Sequence, residues 1–318
     1  IYSGDLDRLS LKATYPQFHE VERAHRSVMR GLARVGLRQT APQPAQRQAQ
    51  QPAQQSAQQP AQQSAAQAAP PLADHLRRSV FLSYRNGLST LVEKLTDVLR
   101  DAVLVAGEEI VGIAPAPDGG WTLAAASGAA YRADAAILAV PAFALGKLLP
   151  NLPAAQAFAR MPYVSVANVV FGYPDEAVRF PPVGSGFVIP RGEGRFITAC
   201  TWTSQKWGHT APAGRALIRC YVGRAGDQGW TSLDDDAIIA GVKRELRELM
   251  GIRAEPDLVE ITRLAQSMPQ YEVGHLERMR ALRAEMAAAL PGVYATGAAF
   301  DGIGIPDCIR QGKEAAEY

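Results

Sequence analysis

The sequence predicts a mixed fold that combines an α/β part with an α+β part. Residues 164–222 contain several runs of alternating apolar and polar residues, which favour an antiparallel sheet with one wet face. Near the C-terminus, the apolar run 293–296 is followed by a glycine-rich turn and by Pro306, which suits the first turn of a helix. This strand–turn–helix order is typical of an α/β unit.

The composition excludes several classes of protein. The chain has 318 residues, 47% hydrophobic and 20% charged, which is enough for a sizeable core and two domains. A formal net charge of +2 argues against a nucleic-acid binder, which needs a marked cationic excess. Cys200, Cys220 and Cys308 have no metal-ligand spacing and are odd in number, so we expect a reducing, cytoplasmic compartment. No apolar run is long enough for a membrane-spanning helix.

The first 71 residues contain one predicted helix and one low-complexity segment. An amphipathic helix is predicted at 16–34, where apolar residues recur between charges. Residues 39–71 are almost entirely Gln, Ala, Pro and Ser, with the unit QQPAQQSA repeated from Gln50 to Ala65. Such a segment buries too little apolar surface to offset its ordering entropy, so a disordered insertion is predicted. The chain starts at Ile1 without a signal peptide, and we expect it to be a piece of a longer protein.

Residues 72–150 are predicted to hold short strands and two helices. Turn residues interrupt the apolar runs at 85–87 and 118–120. Leucines recurring along one side predict a helix at 88–100. The predicted strands are 79–84, 103–105, 109–113, 121–123, 131–132 and 135–140, and a second helix is predicted at about 143–149.

Residues 151–290 are predicted to form the antiparallel sheet with helices behind it. The predicted strands are 164–171, 186–189, 196–199, 216–222 and 258–264. Helices are predicted at 234–250, which opens on three aspartates, and at 275–290. On the strand 216–222, Arg219 and Tyr221 share a face, and would present a cation and an aromatic wall to an anionic macrocycle. A surface arginine and a half-buried tyrosine explain the pattern equally well.

The last turn contains Gly297, Gly302 and Gly304, which allow positive φ or a close approach to the backbone. A helix opening behind such a turn offers unpaired N–H groups and the positive end of its dipole to an electron-rich group. On the pattern alone, an ordinary connection is commoner than a cofactor site.

The amino-acid sequence of this stretch resembles that of one protein family. GAAFDGIGIPDCIRQGKEAAE is similar to the closing motif of the oxygen-dependent protoporphyrinogen and coproporphyrinogen III oxidases, which are FAD enzymes of haem synthesis in the amine-oxidase-like flavoprotein superfamily. SMPQYEVGH, at 267–275, is similar to a stretch that lies beside the flavin in that family. ADAAILAVPA, at 133–142, resembles the part that returns to the cofactor-binding sheet. Residues 1–32 are similar to part of its helical, membrane-associating region.

The resemblance implies a domain organisation. Residues 1–38 and 72–86 would belong to the helical and substrate region, and 151–290 to an antiparallel-sheet substrate domain. Residues 87–150 and 291–318 would form a partial FAD-binding domain, the latter as its C-terminal strand–turn–helix. The family's GxGxxG-type dinucleotide fold is absent from the start of this chain, so the resemblance covers the C-terminal two-thirds of a family member.

The resemblance also implies site residues. The implied cofactor-binding residues are Ile110, through its backbone at the adenine side of FAD, Leu264, where some relatives have tryptophan, and Gly302, Ile303 and Gly304 at the flavin. The family's substrate cavity is lined by the strand that matches 216–222, which favours Tyr221 and, less strongly, Arg219. Protein groups would position the substrate and stabilise charge, and no catalytic acid or base is assigned.

The implied reaction is oxidation of coproporphyrinogen III or protoporphyrinogen IX by three cycles of hydride transfer to FAD, each followed by reoxidation with oxygen. The implied partners are the porphyrinogen, oxygen, a missing N-terminal half, a second copy in a homodimer and the inner face of a membrane. We predict that the chain alone binds FAD poorly and does not turn over. The alternatives are a catalytically silent remnant or accessory subunit and an amine or carotenoid oxidoreductase of the same superfamily.

Overall fold

The structure, a computed structural model, describes residues 3–31, 82–181 and 183–317. The predicted insertion at 39–71 therefore lies outside the described residues. In the described ranges, the helices α1 (Leu11–Thr14), α2 (Pro16–His25) and α3 (Ser89–Val98) precede the first sheet.

The predicted helix 16–34 is not continuous, which corrects that prediction. Helix α2 ends at Arg26, whose φ of 54° is left-handed. The Ser27 hydroxyl then accepts a hydrogen bond from Arg30 N at 3.3 Å, and residues 28–31 are helical again. Serine favours such a cap over a helix interior, so the local hydrogen bond competes with continuation of the helix. Residues 32–34 lie outside the described part.

The middle of the chain forms a three-stranded antiparallel sheet and begins a parallel pair. The sheet has the order β1-β2-β3. The elements are β1 (Ile110–Pro115), β2 (Trp121–Ala125), β3 (Ala130–Ala133), β4 (Ala136–Leu138), α4 (Ala142–Leu148) and α5 (Pro153–Ala159).

A five-stranded antiparallel sheet follows, with the order β6-β7-β8-β5-β9. Its alternation was predicted correctly: every second residue of β8 is buried. The elements are β5 (Tyr163–Pro174), β6 (Gly186–Val188), β7 (Ile197–Trp202), α6 (Thr203–Lys206), β8 (Arg215–Val222), α7 (Asp235–Met250) and β9 (Leu258–Pro269). Strand β9 is longer than predicted, because Met268 and Pro269 continue to pair with β5 instead of forming a connection.

The C-terminal part comprises α8 (His275–Ala289), β10 (Val293–Ala295) and α9 (Ile305–Ala316). Strand β10 pairs in parallel with β4, so the last strand returns to the segment that precedes the five-stranded sheet. The glycine turn, residues 297–304, connects β10 to α9.

Two predicted strands are wrong. Within the described residues, 82–84 and 103–105 are not extended in any sheet, while 79–81 lie outside them. Val103 is 90% exposed. A strand needs a neighbour for its backbone N–H and C=O groups, and no described strand lies beside these segments in the three sheets.

Two hydrophobic clusters form the core. One packs α7 on the five-stranded sheet and includes Phe171, Ile218 and Leu246, all 0% exposed. The other joins the parallel pair to α4, α5 and α8, with Leu145 and Phe300 at its centre. The glycine turn therefore rests on the second cluster. The proposed domain boundaries stay a prediction.

Candidate functional site

The glycine turn needs glycine at Gly297 and Gly302, where φ is +114° and +104°. A Cβ atom on Gly302 would also lie 2.5 Å from Asp307 Cγ. Helix α9 follows with Gly304 as its N-cap, and no side chain caps it. The N-terminus of α9 thus keeps free backbone donors and the positive end of the helix dipole.

Two aromatic side chains hold the turn from the core side. Tyr271 Oη donates a hydrogen bond to the Ala298 carbonyl at 2.7 Å and accepts one from Gly302 N at 3.1 Å. His275 Nε2 lies 2.6 Å from the Phe300 carbonyl. Because a carbonyl only accepts, the His275 proton is assigned to Nε2. The positive-φ backbone is therefore held by side chains of another element.

His275 is held neutral. Its ring is 0% exposed and stacks on Tyr271 with centroids 4.0 Å apart. Burial lowers the pKa of His275, against the opposing effect of the bond to Phe300, and the Arg278 charge lowers it further. Protonation would place a hydrogen on Nδ1, which is buried and has no hydrogen-bond partner among the described residues.

Helix α9 supports the turn from the opposite end. The buried Gln311 amide accepts from Asp301 N at 3.2 Å and donates to the carbonyls of Asp301 and Gly302 at 3.2 and 3.1 Å. Arg310 also donates to the Asp301 carbonyl, at 2.8 Å. These bonds fix the backbone that leads into the N-terminus of α9.

Three of the predicted cofactor residues share one cavity. Gly302, Ile303 and Gly304 border a cavity of about 360 Å³, which we call the turn cavity. Residues 13–17, from α1 to the start of α2, form its other side, and Asp301, Asp307 and Arg310 complete the lining.

Tyr221 and Leu264 come together in a second cavity. It measures about 300 Å³, lies on the face of the five-stranded sheet away from α7, and is called the sheet cavity here. Asn168 lies opposite Tyr221 in the strand register, and Val166 lies opposite Leu264. The lining residues are Ser3, Val166, Asn168, Thr198, Ala199, Tyr221, Leu264 and Met268.

Arg219 and Ile110 lie elsewhere. Arg219 shares the face of β8 with Tyr221 but pairs with Val170 and Thr201, outside the residues that border the sheet cavity. Ile110 begins β1 and packs against the cluster that contains Phe300, without bordering either cavity.

A third cavity shares lining residues with each of the other two, so the three cavities lie in a row. This middle cavity measures about 310 Å³. Ser3 and Thr198 border both it and the sheet cavity, and Tyr15 borders both it and the turn cavity. The sequence did not reveal this role of residues 3–17, because only tertiary contacts bring them here: Ser10 N donates to the Tyr271 carbonyl at 2.8 Å, and Leu9 bridges to Glu272.

The described ranges contain neither a metal-binding cluster nor a membrane-spanning helix. No group of three His, Cys, Asp or Glu side chains in them is placed to hold a metal ion. None of their helices is both long and apolar enough to cross a membrane.

The chain matches known proteins over its whole length. The family model of flavin containing amine oxidoreductases matches residues 1–318. The coproporphyrinogen III oxidase of Bacillus subtilis (strain 168) is 39% identical over 315 residues, which are 99% of this chain and 61% of that protein. The coproporphyrinogen III oxidase of Staphylococcus aureus (strain NCTC 8325 / PS 47) is 31% identical, and the match spans 100% of this chain and 62% of that protein.

The fold is also found among solved structures. A crystal structure of a protein from Exiguobacterium sp. 255-15 superposes with a TM-score of 0.75 at 30% identity, over 99% of this chain and 60% of that one. The chain thus spans about three-fifths of the length of these relatives.

Proposed function

The chain belongs to the flavin-containing amine oxidoreductases, and from that premise we propose that it serves an FAD-dependent, oxygen-using porphyrinogen oxidase of haem biosynthesis. The names of the similar curated proteins support coproporphyrinogen III as the substrate: the identity is 39% to the Bacillus subtilis coproporphyrinogen III oxidase and 25% to a rice protein named chloroplastic protoporphyrinogen oxidase.

The observation that carries the proposal is the row of three cavities from the glycine turn to the sheet. It leads from the N-terminus of α9 to a wall formed by Tyr221 and Leu264. The middle and sheet cavities are concave and mostly apolar, which suits a macrocycle, whereas the turn cavity also has charged groups at Asp301, Asp307 and Arg310. Tyr221 is the proposed substrate wall, and Arg219 is a weaker candidate at the edge of that face.

The turn fits one side of a flavin. The uncapped N-terminus of α9 suits an electron-rich ring, so Gly302, Ile303 and Gly304 are proposed to hold the flavin, with Leu264 beside it and Ile110 toward the adenine end. Bound FAD would supply hydride acceptance from a bridging carbon of the porphyrinogen and electron transfer to oxygen. The chain's own groups bind, orient and exclude water.

The chain has no glycine loop of the kind that holds the FAD pyrophosphate, so retention of FAD is proposed to need the further length that the relatives have. Contact of residues 1–32 with a membrane surface and assembly into a homodimer are proposals that rest on the family resemblance alone.

The test supplies the matching N-terminal portion of a close relative, either fused or in trans. Flavin absorbance after desalting reports FAD retention, and porphyrin fluorescence reports oxidation of coproporphyrinogen III and, separately, of protoporphyrinogen IX. We expect both signals with the N-terminal portion and neither without it. Flavin-free protein and no fluorescence with either substrate would favour the silent or accessory subunit instead.

A further inference from the structure

The middle cavity has an excess of positive charge in a mostly apolar lining. Its lining contains two arginines and no carboxylate. The lining residues are Ser3, Gly4, Leu6, Leu9, Tyr15, Ile189, Pro190, Arg191, Thr198 and Arg224. A cation beside apolar surface attracts an anion that is itself largely apolar.

The two arginines differ in how far a nearby carboxylate neutralises their charge. Arg224 is 7% exposed and has the Asp227 carboxylate 3.4 Å from its Nε. Arg191 forms no ion pair among the described residues, although two backbone carbonyls accept from it. The excess positive charge of the cavity is therefore on Arg191.

The guanidinium of Arg191 is also pre-organised. Nη1 donates to the Ala225 carbonyl at 2.7 Å and Nη2 donates to the Gly4 carbonyl at 3.0 Å. Arginine has five N–H donors in a rigid fork, so about three remain for a ligand after these two bonds. Such a fork matches the two oxygens of a carboxylate, and less side-chain entropy is lost when it binds.

We propose that the middle cavity binds a carboxylate-bearing arm of the tetrapyrrole and that Arg191 holds its carboxylate. This inference rests on the proposed function, because the macrocycle would occupy the adjoining sheet cavity against Tyr221. Coproporphyrinogen III carries a propionate on each pyrrole ring, whereas protoporphyrinogen IX has vinyl groups in place of two of them. Arg191 is thus a specificity-determining residue for the more highly carboxylated substrate.

The test measures binding of coproporphyrin III, the stable oxidised product, by fluorescence titration of the protein with its N-terminal portion supplied. Arg191→Gln should weaken binding at least tenfold, which is the range for a lost charge-assisted hydrogen bond. It should also remove most of the salt dependence seen with wild type. Arg179→Gln is the matched control, because Arg179 is exposed and borders none of the three cavities, and it should bind as wild type does.

A second variant distinguishes loss of carboxylate binding from loosening of the Gly4 segment, which Arg191 also holds. Arg191→Lys keeps the charge but not the fork, so it should restore the salt dependence and part of the affinity. In turnover of coproporphyrinogen III, Arg191→Gln should raise KM with little change in kcat, and KM for protoporphyrinogen IX should rise less.

Equal affinity and equal salt dependence of wild type and Arg191→Gln would overturn the inference. So would equal losses in the Lys and Gln variants, since these would indicate a structural role. If wild type does not bind coproporphyrin III, the inference also fails. If binding persists without turnover, only the proposed oxidase function fails.

Discussion

At the scale of single residues, Tyr271 connects two parts of the site. Its backbone carbonyl accepts from Ser10 N, and its hydroxyl bonds Ala298 and Gly302 in the glycine turn. The stretch SMPQYEVGH marks this region in the sequence, but no sequence pattern indicates which of its side chains reaches the turn, because that depends on how the connection from β9 to α8 packs against the turn.

Removing the Tyr271 hydroxyl should therefore loosen the turn. Tyr271→Phe leaves Gly302 N and the Ala298 carbonyl without these bonds, and we expect the free energy of unfolding to fall by about 1–3 kcal/mol. Hydrogen exchange of a peptide covering 297–304 should become faster. Tyr173→Phe, which removes a hydroxyl from the other cluster, is the control and should leave exchange of that peptide unchanged. Unchanged exchange in Tyr271→Phe would contradict this role.

The buried His275 gives a pH dependence with a definite sign. Burial keeps its folded pKa below the unfolded value of about 6.5, so as the pH falls through 6.5 the unfolded chain gains a proton first and stability decreases. Between pH 6.5 and the folded pKa, this one group makes the free energy of unfolding fall by up to about 1.4 kcal/mol per pH unit. Above pH 6.5 this contribution fades. Unfolding measured between about pH 5 and 7 checks this.

His275→Gln is the informative variant for that slope, since its amide can still donate to Phe300 but does not titrate. It should flatten the decrease in stability at low pH. An unaltered slope in His275→Gln would show that other groups cause the loss of stability at low pH.

Tyr221 and Arg219 should differ in their effect on the substrate. Tyr221→Ala removes an aromatic wall of the sheet cavity, worth roughly 1.5–3 kcal/mol of apolar contact, so KM for coproporphyrinogen III should rise about tenfold or more. Arg219→Gln should have a smaller effect, because Arg219 does not border that cavity. The reverse order of the two KM values would contradict the placement of the macrocycle.

At the scale of elements, Gly302 is one of the two glycines at positive φ on which the connection from β10 to α9 depends. Gly302→Ala would place a Cβ at positive φ and 2.5 Å from Asp307 Cγ, so we expect destabilisation by about 1–3 kcal/mol in thermal or urea unfolding. Gly312→Ala, in the middle of α9 with no atom near its added Cβ, is the control and should stabilise by about 0.5–1 kcal/mol. Equal effects of the two variants would argue against strain at Gly302.

Elements were predictable where local pattern and tertiary pairing agree. The alternation of β8 and the aspartates at the start of α7 identify these elements, and Asp234 indeed accepts from Ala237 N at 2.8 Å as the N-cap. The strand predicted at 103–105 has equally apolar residues, yet it has no partner strand in the described structure. Apolar composition alone cannot distinguish a paired strand from an exposed segment.

At the scale of the whole molecule, one apolar band stays uncovered. Along α3 and its flanks, Leu88, Val92, Leu95 and Leu99 are each 47–64% exposed, and Val103 is 90% exposed. Among the described residues, the parallel pair β4–β10 has only two strands, whereas parallel sheets are normally wider and covered on both faces. The molecule presents surface that a larger α/β layer would bury.

We therefore expect the N-terminal portion to cover this band. In hydrogen exchange, peptides spanning 88–105 should become protected when the portion is supplied, and the melting temperature should rise. The β2–β3 hairpin, whose strands are already paired, serves as the internal reference and should change little. A rise in FAD retention without protection of 88–105 would place the N-terminal contact elsewhere.

The sequence by itself determined the fold class, the alternating strands, most helices and the family, because periodicity, turn residues and short motifs are local properties. It also indicated the strand–turn–helix that contains Gly302, Ile303 and Gly304, since that order is readable from the sequence alone, while their role at a flavin follows from the family resemblance and stays a prediction. Only the tertiary structure decided that Tyr221 and Leu264 share a cavity that Arg219 does not border, and that residues 3–17 link it to the turn. Strand register and long-range packing set those contacts, and residues far apart in the chain carry no local trace of them.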